Sequence, residues 1–316
     1  MIKYSVIVLL EEPGNDFPEY IRTLYEIFSR RNEPFEIIIM ANGLRGYLKN
    51  VLTNLHELLT KFTGYEKKLR LFALPTRTSQ AVSLNAGFKE SNGEIIVVCG
   101  SYLQITEESL SLLLNSFDKE ADIISPWRQS RVDPKLNQWQ SAGFNWLVKK
   151  VTGSNLHDLS CTVKICRRQV FEDTRLYGNM YRFLPIIAAR KGFKNKEVKC
   201  DHFQERGKTG IYNISAYVGR LLDILTLYFN TRFSRKPLRF FGNIGLTFLA
   251  MGVLISLIVL IQKIFWGYPI GDHPILLLAI LFLVLGVQAA SVGLLGEIIA
   301  FTQGRHTKEY NIDRII

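Results

Sequence analysis

The chain has 316 residues, 47% of them hydrophobic, and carries 39 Lys and Arg against 28 Asp and Glu, a net charge of +11. That length holds one good-sized domain and an appendage. The positive surplus clusters beside apolar runs, so it fits anionic lipid headgroups and phosphate-bearing substrates rather than nucleic acid. The four cysteines, Cys99, Cys161, Cys166 and Cys200, show no CxxC pairing, and reduced thiols are expected rather than disulfides or zinc ligands.

Met1-Ile2-Lys3 leads directly into a strand-like run, without the apolar stretch and cleavage site of a signal peptide, so a cytoplasmic domain is expected. Tyr4–Leu10 is continuous, apolar and β-branched, the pattern of a buried parallel strand. Asp16 and Glu19 are spaced as a capping box for a helix reaching Arg30. Phe35–Met40 predicts a second strand, closed by the turn signal Asn42-Gly43. Tyr47–Phe62 reads as a helix and Leu69–Leu74 as a third strand. Ser79–Glu90 reads as a helix closed by Asn92-Gly93, and Glu94–Cys99 as a fourth strand. Thr106 caps a helix running toward Phe117, and Asp122–Ser125 is a fifth strand. Strands alternating with helices predict an α/β domain with a doubly wound, mostly parallel sheet, whose ligands sit outside the carboxyl ends of the strands. Ala41-Asn42-Gly43, Ser79-Gln80 and Gly100–Gln104 then surround one crevice.

Trp139–Thr152 reads as a further helix. Ile214, Val218, Leu221, Leu222, Leu225 and Phe229 recur at helical spacing, punctuated by Arg220 and Asp223. Two readings stay open for that segment: an amphipathic helix on a membrane surface, and a packing helix of the soluble domain. Phe240–Ile261 and Pro274–Gly296 are uncharged, and each exceeds the ~20 residues that cross a hydrocarbon core, which predicts two transmembrane helices. Arg232, Arg235, Lys236 and Arg239 precede the first run, and Arg305, Lys308 and Arg314 follow the second. The loop between them holds only Lys263, Asp272 and His273. Lys/Arg excess marks the cytoplasmic side, so both termini are expected inside. The expected division is a sugar-nucleotide domain over 1–211, a juxtamembrane segment over 212–239, the two spans over 240–300 and a tail over 301–316. In the second span Gly286, Ala290 and Gly293 share a face and Gln288 interrupts the apolar run. Such residues seat a partner helix, either the first span or another chain.

The segments SVIVLL, EIIIMANG, QAVSLNAGF, GEIIVVCGSYLQ, PWRQSRVDP, TGSNLHDLSCTVK, LYGNMYRFLP and EVKCDHFQERGKTGIY stand in a family's order and spacing. By them the chain resembles the family-2 glycosyltransferases that act on polyprenyl phosphates, among them the dolichol-phosphate-mannose synthases and bactoprenol-phosphate glycosyltransferases. KPLRFFGNIGL and LVLGVQAASVGLLGEIIA match the bacterial branch with two C-terminal spans. The resemblance covers nearly the whole chain. It implies a GT-A-like fold, a nucleotide-sugar donor and a polyprenyl (undecaprenyl or dolichyl) phosphate acceptor. It further implies inverting in-line transfer at the cytoplasmic face of the inner membrane, and a homo-oligomer.

Departures from the family's pattern are specific. Its two aspartates after the second strand are Ala41 and Asn42 here, and its Asp-x-Asp-Leu-Gln after the fourth is Gly100-Ser101-Tyr102-Leu103-Gln104. In the family those carboxylates hold the base and the divalent ion, so a Mg2+ or Mn2+ site is weakened. An active enzyme and a catalytically impaired scaffold subunit both remain open. The acceptor phosphate is already largely anionic near neutrality and needs little help to attack. The departing nucleotide diphosphate needs positive charge, which Arg or Lys can supply in place of a metal.

The resemblance makes Leu9, Glu11, Asn42, Gln80, Ser101, Tyr102 and Gln104 the expected donor contacts, with Gln104 also a candidate metal contact. Asp158, Arg128 and Arg131 are the expected catalytic residues, and Lys164, Arg206 and Lys208 the expected acceptor-phosphate contacts. Plainer readings stand beside these. Asp158 could cap a turn, Gln104 could contact a helix N-terminus, Arg128 and Arg131 could lie in a solvated loop, and Arg206 and Lys208 could be surface charge. His202 reads as a packed side chain, because no partner spacing supports a metal site.

Overall fold

The structure is a computed structural model. It describes residues 2–11, 14, 16–44, 53, 68–118, 120–129, 143, 146–150, 152–154, 156–174, 176–203, 219, 222–227, 237–266 and 274–304. All but Thr53 of the helix expected over Tyr47–Phe62, half of that over Trp139–Thr152 and most of the juxtamembrane segment lie outside these residues, as do Arg131, Arg206 and Lys208. The described residues divide into two compact units, one reaching Ile224 and the other beginning at Leu225.

In the first unit seven strands form one sheet. They are β1 (Tyr4–Leu10), β2 (Phe35–Asn42), β3 (Leu69–Leu74), β4 (Ile95–Cys99), β5 (Ile123–Gln129), β6 (Lys164–Arg167) and β7 (Asn195–Asp201), in the order β3-β2-β1-β4-β6-β5-β7. The helices are α1 (Phe17–Ser29), α2 (Gln80–Glu90), α3 (Glu107–Asn115), α4 (Arg168–Asp173) and α5 (Leu184–Ala189). Every residue of β1 and β2 is buried, as expected of central strands covered on both faces. Alternation along the strands sorts their side chains into two cores. Val6, Val8, Ile37 and Ile39 pack with Ile21, Leu24 and Phe28 of α1 and Leu110 and Leu113 of α3. Ile7, Leu9, Ile38 and Met40 pack with Ala81 and Leu84 of α2.

All neighbouring strands are parallel except where β6 pairs, antiparallel, with β4 and β5. The carboxyl ends of β1, β2, β4 and β5 therefore open at one edge. β5 runs on to Gln129, past the expected end at Ser125, because β7 pairs with it from Ile123 through Gln129. At the opposite edge Ser5 Oγ donates to Glu36 Oε1 at 2.6 Å and accepts from Gly93 N at 2.7 Å. A Cβ on Gly93 would lie 2.6 Å from Ser5 N, so this close approach requires glycine.

The capping box expected at Asp16 does not form: Asp16 takes φ −85° and ψ 0°, not the extended backbone of a capping residue, and makes no side-chain cap bond. Burial of Phe17, Tyr20, Ile21, Leu24 and Phe28 holds α1 in place instead. Thr106 does cap α3, its Oγ1 accepting from Ser109 N at 3.2 Å. The four cysteines are buried free thiols. Burial pushes each thiol's pKa up, which makes them inert as nucleophiles.

The second unit holds α6 (Pro237–Trp266) and α7 (Pro274–Gly304). Both are long and apolar enough to cross a membrane, over Pro237–Phe265 and Pro274–Ile299, and little of either is buried within the chain. Exposed Leu254, Ile264, Leu277 and Leu295 would be a liability in water and suit a lipid surround. The small residues of α7 face α6 of the same chain. A Cβ on Gly286 would meet Gly245 O at 2.9 Å, and one on Gly293 would meet Phe241 Cβ at 3.1 Å. Gln288 points away from that seam and is exposed.

Candidate active site

Two clusters of polar side chains stand at the carboxyl edge. The first joins β1 to β4. Ser101 Oγ donates to Leu9 O and accepts from Glu11 N, both at 3.0 Å, so one hydroxyl stitches the two strand ends together. Gln80 Nε2, at the start of α2, donates to Glu11 Oε2 at 3.2 Å. Asn42 ends β2 and brackets Thr78: its Oδ1 accepts from Thr78 N at 2.7 Å and its Nδ2 donates to Thr78 O at 2.8 Å. Gln104 is buried. Its Oε1 accepts from Thr162 N at 2.7 Å and from Cys161 Sγ at 3.3 Å, and its Nε2 meets Tyr102 Oη at 3.4 Å.

A hard divalent ion takes several oxygen ligands, carboxylates above all. Gly100 and Tyr102 offer none, and Ser101 Oγ and Gln104 Oε1 already bond to the chain. Among the described residues no three of His, Cys, Asp or Glu come together to hold a metal. Among the described residues, those at this edge do not fit Mg2+ or Mn2+.

The second cluster lies across β6. Arg128 stands in β5, not in a solvated loop, with its side chain 2% exposed. Its Nε donates to Asp158 Oδ2 at 2.6 Å and its Nη2 to Asp158 Oδ1 at 3.2 Å and to Ser160 Oγ at 2.7 Å. Asp158 Oδ1 also accepts from Ser160 N at 3.1 Å and Ser160 Oγ at 2.8 Å. Lys164 opens β6, fully buried, with Nζ donating to Cys161 O at 2.6 Å and lying 4.8 Å from the Tyr181 ring. Burial pushes its pKa down from 10.5 to about 8, against the opposing pull of Cys161 and Asp158.

Reading the sequence missed two residues that shape this cluster. Tyr181 Oη donates to Thr162 O at 2.6 Å. Glu197, in β7, accepts from His157 N at 2.8 Å and Asp158 N at 3.2 Å, and its other oxygen bonds His157 Nδ1 at 2.8 Å. Their place in family-like blocks was the available signal.

A mostly parallel sheet with helices on both faces and polar side chains gathered at its carboxyl edge is a GT-A-like glycosyltransferase architecture. The chain belongs to glycosyl transferase family 2, whose model matches residues 6–175. Its relatives include dodecaprenyl-phosphate galacturonate synthase from Rhizobium johnstonii, 29% identical over 78% of this chain and 74% of the relative. Undecaprenyl-phosphate 4-deoxy-4-formamido-L-arabinose transferase from Pseudomonas savastanoi is 24% identical over 99% of this chain and 90% of the relative. The fold also matches solved glucosyl-3-phosphoglycerate synthase from Mycobacterium tuberculosis with TM-score 0.55 and 11% identity, over 73% of this chain and 78% of that one.

The lowered pKa of Lys164 makes a stability prediction. Its ammonium is disfavoured in the folded chain, so the penalty is full below pH 8 and is relieved as pH rises toward 10.5, where the unfolded chain also loses the proton. Lys164→Met removes a penalty of up to roughly 3 kcal/mol. The variant should melt above the parent at pH 7, with the gap narrowing at alkaline pH. A gap that ignores pH contradicts the assignment.

Proposed function

We propose that the protein transfers a sugar, with inversion, from a nucleotide-sugar donor to a polyprenyl phosphate at the cytoplasmic face of a membrane, without a divalent ion. The observation that carries this reading is the likeness to the undecaprenyl-phosphate transferase over 99% of the chain, through both units. Leu9, Glu11, Asn42, Gln80, Ser101, Tyr102 and Gln104 form the donor side. Arg128, Asp158 and Arg131 are assigned to the transfer and Arg206 and Lys208 to the acceptor phosphate, on which Lys164, buried with Nζ on Cys161 O, acts through its charge. A phosphate oxygen attacks the anomeric carbon opposite the leaving group. The charge that develops on the departing diphosphate is met by fixed cations rather than by a Lewis acid.

Purified protein is offered polyprenyl phosphate and a panel of nucleotide sugars, with EDTA or with Mn2+. We expect one donor to release nucleoside diphosphate at a similar rate in both. A metal-dependent site would lose roughly a thousandfold in EDTA, which would contradict the metal-free reading. Transfer from none of the donors would favour the scaffold subunit instead.

The basic flanks of α6 and α7 support an inner-membrane hairpin with both termini inside, and the outward amide of Gln288 supports association with a second copy. Two single-cysteine variants test this. Tyr268→Cys should react with an impermeant reagent added outside cells, and Gln288→Cys should cross-link chain to chain. Labelling of a cysteine at Tyr310 instead would reverse the topology, and absence of cross-links would leave a monomer.

A further inference from the structure

Both oxygens of Asp158 are engaged by Arg128 and Ser160, so this carboxylate is poorly placed to take a proton. His157 precedes it in the chain. His157 is stacked on Trp127, ring centroids 4.0 Å apart and planes at 12°, and its side chain is 49% exposed. Its Nδ1 lies 2.8 Å from Glu197 Oε2. An ionised carboxylate can only accept, so Nδ1 carries a proton and donates to it, and Nε2 is the nitrogen that meets a ligand. Among the described residues, charged groups near the imidazole include Lys199, 5.3 Å from the Trp127 ring, and the neutralised Arg128–Asp158 pair.

Trp127 lies toward the carboxyl end of β5, so the stack stands at the edge where the donor-side residues lie. Those residues stand at the ends of β1, β2 and β4 and at the start of α2, whereas Trp127 and Glu197 belong to β5 and β7 and His157 to the segment leading into β6, the strand between β4 and β5. That position suits the acceptor rather than the donor.

We propose that His157, oriented by Glu197, is a catalytic residue of the transfer reaction, its Nε2 sharing one proton with the attacking oxygen of the acceptor phosphate. The proposal rests on the transfer reading above. A phosphate monoester has its second pKa near ~6, so the acceptor arrives as monoanion or dianion. From the monoanion, the P–O–H proton passes to Nε2 while that oxygen's electron pair forms the bond to the anomeric carbon. The anomeric bond to the donor's phosphate oxygen breaks, and its electron pair leaves with the nucleoside diphosphate. With the dianion, the imidazolium keeps its proton and donates an Nε2–H hydrogen bond to that oxygen, holding it in line while another lone pair of the oxygen forms the bond. Either route passes through the same complex, with one proton between nitrogen and oxygen. The carboxylate–imidazole arrangement is the usual means of fixing a base. Glu197 also clasps the backbone of His157 and Asp158, which makes it a positioning residue for both.

Two variants test the proposal in the full-length protein. His157→Gln keeps a donor near the Nε2 position but cannot take up a proton. Glu197→Gln still accepts from the two backbone N–H groups but donates to Nδ1, moving the ring proton to Nε2. We expect His157→Gln to lower kcat by about 100-fold while KM for the donor stays within about twofold. We expect Glu197→Gln to lower kcat at least tenfold or so, with nitrogen NMR of labelled histidine showing the shifted proton. Melting temperatures should hold in both. Parent-like kcat in either folded variant overturns the proposal, and so does a loss of kcat that merely tracks a lowered melting temperature. If the parent itself transfers no sugar, the transfer reading fails, and this inference with it.

Discussion

A guanidinium taken out of water must find an anion, and Arg128 finds it thirty residues along the chain in Asp158. Two parallel hydrogen bonds fix the relative orientation of the pair, and Ser160 satisfies a further donor and acceptor. Such a pair is expensive to bury and contributes little net stability, but breaking it would leave a bare charge inside the protein. Its structural consequence is geometric. It ties β5 to the segment leading into β6, the strand that runs against the rest of the sheet. Gln104 holds the same segment at Thr162 from the β4 side, Tyr181 holds Thr162 O, and Glu197 holds His157 and Asp158 from β7. One wall of the crevice is thus preorganised from several directions.

The other wall shows what replaces a metal site. Where the family carries carboxylates, this chain places a glycine, a serine and a tyrosine, and the serine hydroxyl joins the ends of β1 and β4 directly. Removing carboxylates also removes negative charge from a crevice that must hold a diphosphate. Arg128 is offset by Asp158 and Lys164 is buried, and in the proposed metal-free transfer fixed cations take the part a divalent ion plays elsewhere. Asn42 illustrates the same exchange. An amide can donate and accept at once, so it brackets both polar atoms of the Thr78 backbone, which a carboxylate could not.

Much of the fold was legible because central strands and membrane helices announce themselves. YSVIVLL and FEIIIM are too apolar to lie anywhere but between two layers, and the C-terminal runs are too long and uncharged for an ordinary core helix. β6 was not legible, because KICR is short, polar at both ends and stable only once β4 and β5 flank it. The burial of Arg128 was hidden for a related reason: nothing in PWRQSRVDP tells which arginine has a carboxylate waiting across the fold. Glu197 and His157 pair across forty residues, so their partnership is a property of tertiary structure alone. At Asp16 local chemistry suggested a cap, and the backbone angles of Asp16 itself are not those of a capping residue.

In the proposed reaction positive side chains, not a divalent ion, receive the donor's diphosphate. Calorimetric titration of the purified protein with nucleoside diphosphate, once in EDTA and once in Mn2+, tests it most directly. A metal-free site gives the same dissociation constant in both conditions. An affinity that tightens by about tenfold or more when Mn2+ is present, some 1.4 kcal/mol, would contradict it.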